Sequence, residues 1–158
     1  MAITSNTNID TVNGILSAEV YYNATTLIDS LTYTASSNTI LCGGPITGIN
    51  ISEQDFLALL NFYVAFNTLI IFTYSPSQSG TTPFSSITFL QSDDGSSQLA
   101  FQFKPADIPL FYYTCTYPSG MVSIESRTVS NTLSYAQWLF FLYLASNFKL
   151  SVLYDYNL

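Results

Sequence analysis

The chain has 158 residues, with ten acidic and three basic side chains, no histidine and a net charge of −7. Histidine-based triads, dyads and proton shuttles are therefore excluded, and three cations cannot supply the basic footprint that nucleic acid or an anionic membrane surface requires. Charged residues are 8% of the sequence, against about 25% in an average soluble domain, so the surface must be built largely from hydroxyls, amides and tyrosine rings.

Nearly half the residues are hydrophobic, and a chain of this length can bury roughly two thirds of its unfolded surface, so one compact domain is expected. Residues 1–14 read as an N-terminal arm. They contain neither the basic nor the apolar region of a signal peptide, which favours a cytoplasmic, virion or inclusion-associated setting over Sec-dependent secretion. The sequons at Asn23 and Asn50 are the chance matches expected of a chain rich in Asn, Ser and Thr.

The first half covers residues 15–78. β-Branched and aromatic runs bounded by turn residues predict strands over Ile15–Tyr22, Leu27–Thr34 and Thr39–Cys42. Cys42-Gly43-Gly44-Pro45 reads as a turn. Ser52 then stands where a helix N-cap is expected, with the apolar Ile51 before it as a staple and Asp55 three residues later. The helix it opens is apolar from Phe56 to Phe66 at every position except Asn61. A tight turn at Asn67-Thr68 and a strand over Leu69–Tyr74 are predicted next. Phe56–Tyr74 is an uncharged stretch close to the length of a bilayer span, but its internal amides and β-branched end favour a buried helix, a turn and a buried strand. Ser75–Gly80 reads as a linker.

The second half covers residues 79–158. Strands are predicted over Ser86–Leu90, Gln98–Phe103, Leu110–Thr116 and Met121–Thr128, with a hairpin signal at Asp93-Asp94-Gly95. Leu133-Ser134-Tyr135-Ala136-Gln137-Trp138 aligns without gaps on Ile51-Ser52-Glu53-Gln54-Asp55-Phe56, 82 residues earlier. Ser134 and Gln137 make the better capping box of the two. Trp138 to Ala145 is apolar or aromatic throughout, and a strand over Lys149–Tyr156 is predicted after a turn at Asn147. Each half also carries a Cys-x-x-Pro, at Cys42 and at Cys115, read as buried thiols with one disulfide as the alternative.

These elements predict an α+β fold: two similar β-β-β-α-β halves from an internal duplication, with an extra strand in the second. Together they form one mostly antiparallel sheet-and-helix domain with two strongly apolar helices. A surface helix needs a polar face; these have none, so both are expected to be buried all round, against a sheet on one side and each other or another subunit on the other.

No catalytic residue, cofactor or metal site is expected. Zinc would find only two cysteines, and no phosphate-binding glycine motif is present. Carboxylate pairs are the one catalytic route left. Asp93-Asp94 fits a solvated hairpin better than that role or a calcium site, and Glu53 and Asp55 fit a helix first turn, where acids meet the positive dipole end.

The remaining candidates are tyrosines. Tyr21, Tyr22, Tyr112, Tyr113, Tyr117, Tyr154 and Tyr156 could stack on a ligand or pack at an interface. A β-rich chain that lacks the charges natural sheets use against edge-to-edge contact is expected to associate with itself. A glycan or small-ligand module and a small acidic inhibitor or immunity-type protein are the alternatives.

Overall fold

The computed structural model describes residues 3–43, 49–78, 86–91, 98–104, 111–116, 121–124 and 131–151. Backbone pairing, but not side-chain placement, is described for the strands from 86 to 116. The fold is mixed α+β, with antiparallel sheets and two helices.

In chain order come β1 (Ile3–Asp10), β2 (Ile15–Tyr22), β3 (Thr26–Thr34), β4 (Thr39–Gly43), β5 (Ile49–Ser52) and α1 (Glu53–Tyr74). They are followed by β6 (Ser86–Gln91), β7 (Gln98–Lys104), β8 (Phe111–Thr116), β9 (Met121–Ile124), β10 (Asn131–Ser134) and α2 (Tyr135–Ser151). One sheet has the order β1-β2-β3-β4-β10 and the other β5-β9-β8-β7-β6. Each sheet is thus a four-strand meander completed by a short strand from the other half of the chain. Asn131 of β10 pairs with Cys42 of β4, and Ile49 of β5 pairs with Ile124 of β9. These two pairings match at the 82-residue spacing, as do the starts of β4 and β9 and of α1 and α2.

β2 and β3 alternate as half-buried strands should. Leu16, Ala18 and Val20 are buried on one face, opposite Tyr33, Leu31 and Asp29 of β3. A register shift follows Val20, and beyond it Tyr21 pairs with Leu27. Asp29 is a buried carboxylate. It accepts from its neighbour's N–H (Ser30, 2.8 Å) and from the Tyr63 hydroxyl of α1 (3.0 Å), which ties the sheet to the helix.

Each helix touches both sheets. α1 meets β1 and β2 of the first and β5 and β9 of the second, while α2 meets β4 and β10 of the first and β7 of the second. The aromatic core lies between α1 and α2. Trp138, fully buried, packs edge-on against Tyr63 and Phe66 of α1, with centroids 6.1 Å away in each case. Tyr63 also meets Phe141 edge-on at 5.6 Å, in the arrangement the ring quadrupoles favour.

Five expectations are corrected here. Leu69–Tyr74 is not a strand, because α1 runs unbroken to Tyr74. Its β-branched end is held helical by packing, with Ile70 fully buried, and the helix stops where Ser75 takes a left-handed conformation (φ 45°) and donates its N–H to the Ile71 carbonyl. Packing here overrides strand propensity. Lys149–Ser151 likewise belongs to α2, and the rest of that predicted strand lies outside the described residues.

Among the described residues, the β-β-β-α-β unit with an extra strand is replaced by five strands and a helix in each half. The two Cys-x-x-Pro segments do not correspond, since Cys42 lies on the fourth strand of the first half and Cys115 on the third of the second. Finally, the helices are not buried all round. α1 buries Phe56, Leu59, Leu60, Tyr63, Phe66 and Ile70, a stripe at helical spacing, and exposes Gln54, Asn61, Val64, Ala65, Thr68, Ile71 and Phe72 on the opposite side.

Candidate interaction surface

Both helix starts are fixed by local chemistry. The Ser52 hydroxyl accepts from the N–H of Asp55 at 3.1 Å, and Glu53 and Asp55 occupy the first turn of α1. At α2 the box is reciprocal: the Ser134 hydroxyl accepts from the Gln137 N–H (3.1 Å), and the Gln137 side chain accepts from the Ser134 N–H (2.9 Å). In both cases the serine is the last residue of a strand that belongs to the other half's sheet, so each cap also sets where a helix leaves the sheet.

Asn67, in the middle of α1 and not at a turn, fastens the helices together. Its side-chain oxygen accepts from the Tyr135 hydroxyl (2.7 Å) and the Trp138 indole N–H (3.2 Å). Next to it, the Tyr33 hydroxyl donates to Asn38 (2.8 Å), and Asn38 donates from its amide to the Ser77 carbonyl (2.8 Å). Burial pushes the Tyr33 and Tyr135 hydroxyls above the usual phenol range, helped by neighbouring phenols.

With these elements fixed, two features of the surface stand out. The first is the outer side of α1. Phe72 is 83% exposed, and Val64 and Ile71 are exposed on the same side of the helix, with Tyr143 exposed on α2. By length and composition α1 could cross a membrane, but in this fold its Phe56–Ile70 stripe forms the core.

The second is β1. Among the described strands it pairs only with β2, without a register break, and it is exposed from Thr4 to Ile9. It has no Lys, Arg or Pro, the residues that usually blunt an edge. Asp10 closes it. Its carboxylate accepts from the backbone N–H groups of Val12 and Asn13 and from the Asn13 amide (2.8 Å), which holds the carboxyl below the usual range. Gly14 completes the turn at φ 68°. Between the start of β1 and α1 lies a groove of about 360 Å³, lined by Ile3, Thr4, Ser5, Ala58, Asn61, Phe62 and Ala65.

Of the tyrosine candidates, Tyr21 and Tyr22 are the two whose side chains are described. Tyr21 and Tyr22 are successive on β2 and so point to opposite faces. The Tyr21 hydroxyl donates to Glu19, which raises its pKa, while Tyr22 packs against the core. Tyr112 and Tyr113 are successive on β8, and Tyr117, Tyr154 and Tyr156 lie outside the described residues. Cys42 is fully buried in β4, and Cys115 lies on β8. Among the described residues no cluster of His, Cys, Asp or Glu could hold a metal ion, and Asp93-Asp94 lies outside them.

The β1 edge and its groove are what sequence reading missed. Ile9, an exposed aliphatic in a run of Thr, Ser and Asn, is the one signal that could have pointed to them. No family model, no curated protein and no solved structure matches the chain.

Proposed function

We propose that this chain is a non-enzymatic structural protein that associates with its own copies into an ordered assembly through a charge-poor surface of Ser, Thr, Asn and Tyr. We also propose that its two halves, each of five strands and a helix, descend from one duplicated unit. Support for the duplication is the shared 82-residue spacing of helix starts, fifth strands and cross-half pairings.

The observation that carries the assembly reading is the unguarded edge strand β1. An eight-residue strand that pairs on one side only among the described strands is a template for another chain, and soluble monomers normally blunt such edges. Its weight is increased by the exposed apolar side of α1 and by a surface with only three cations to keep copies apart.

Size-exclusion chromatography with light scattering, on a sample also imaged by negative stain, tests this reading. A regular species heavier than the 17.5 kDa chain is expected. A monomer at every concentration would overturn it, and retention of that monomer on a glycan matrix would transfer the weight to a binding module.

A further inference from the structure

We propose that two copies of this chain join through β1, antiparallel and centred on Asn6, so that the Ile9 of each seats in the β1–α1 groove of the other. The proposal rests on the self-association reading and adds its contact, register and occupant.

The register follows from which face each residue occupies. Directly opposite residues on antiparallel strands share a face. Ser5, Thr7 and Ile9 pair with Val20, Ala18 and Leu16 of β2, all buried, so they lie with Ile3 on the helix side of the sheet. Ile3 is buried there, but Ile9 is 47% exposed. Along that face the chain therefore carries a groove beside Ile3 and an uncovered aliphatic six residues further on.

A two-fold axis perpendicular to the sheet keeps both helix layers on one side and brings like faces together. With the axis at Asn6, Ile3 stands opposite the partner's Ile9, Ser5 opposite the partner's Thr7, and Thr4 opposite the partner's Asn8. The partner's Ile9 then projects toward Ile3, Ala58, Phe62 and Ala65, the apolar lining of the groove. The same contact is made at both ends, as an isologous interface requires. The strands would sit about 4.8 Å apart, the ordinary ladder spacing.

Charge favours this occupant. In this register Asp10 falls beyond the paired segment, and its carboxylate is already engaged by Val12 and Asn13. No like charges face each other, because β1 carries no other charged residue. A basic peptide would find no acid along residues 3–9, and an acidic one no base.

Two variants test the contact. Ile9→Lys places an ammonium group in the partner's groove and should raise the dissociation constant of the assembly at least tenfold by light scattering. Val12→Lys, at a turn position 91% exposed and outside the ladder, should leave it unchanged. Asn6→Cys places two thiols across the axis and should give a disulfide-linked dimer under mild oxidation, where the wild-type chain, with its own two cysteines, gives none. This second readout holds even if Ile9→Lys disturbs the fold. If the wild type assembles but Ile9→Lys matches it and Asn6→Cys does not cross-link, the β1 contact is wrong while self-association stands. If the wild type is a monomer throughout, both readings fall.

Discussion

Asn67 shows what one amide does in a core with so few charges. Its oxygen satisfies a phenol and an indole donor from α2, so Asn67→Ala leaves both without that acceptor and should cost about 1–3 kcal/mol in denaturant unfolding; a neutral result would mean water replaces the amide. The caps are the second residue-scale test. Ser52→Ala and Ser134→Ala should each cost about 1 kcal/mol, with Ser134 at least as costly because its box is reciprocal. Equal stability of wild type and both variants would contradict the observed caps. The third is alkaline pH. Tyr33 and Tyr135 have raised pKa values in the fold, so the native state disfavours their phenolates. Above the ordinary phenol value of 10.0 the unfolded chain gains by ionising, and stability should fall as pH rises through that point. Unfolding midpoints from pH 8 to 11 check this, and a midpoint unchanged to pH 11 would contradict it. The serines were legible because a cap is a local pattern; Asn67 was misread as a turn because its partners lie 68 and 71 residues away.

At the scale of elements, β2, β3 and β4 were legible within a residue at either end because one face of each is buried and the other is not. β1 was not. Ile-Thr-Ser-Asn-Thr-Asn-Ile-Asp has no sustained hydrophobic alternation, since past Ile3 its helix-side face is left uncovered, and backbone pairing to β2 alone makes it a strand. The β-branched end of α1 misled in the opposite direction, because strand propensity describes fit to a half-buried pleated surface, whereas here Ile70 is fully buried in the core as part of a helix. The absence of a polar face on α1 predicted burial all round; the structure leaves Val64, Ile71 and Phe72 outside instead. Those residues and β1 are where the sequence breaks the usual rules for a soluble surface, and such breaks concentrate at functional sites. Ile9→Lys addresses the β1 break directly, because it alters an exposed residue whose main expected effect is on a second copy.

For the whole molecule, the α+β class and the 82-residue echo were readable from the chain, but the exchange of fifth strands was not. Nothing in Ile49–Ser52 or Asn131–Ser134 specifies that each completes the other half's sheet; that depends on contacts between residues far apart in sequence. The exchange makes the halves interdependent, so one cooperative unfolding unit is expected. Among the described strands β1 is an edge of the first sheet, in a chain with three basic residues. The most direct test is the mass of the wild-type chain in solution by light scattering over a concentration series. The account predicts a defined species of at least twice the 17.5 kDa chain mass; a monomer that persists to the highest concentration would contradict it.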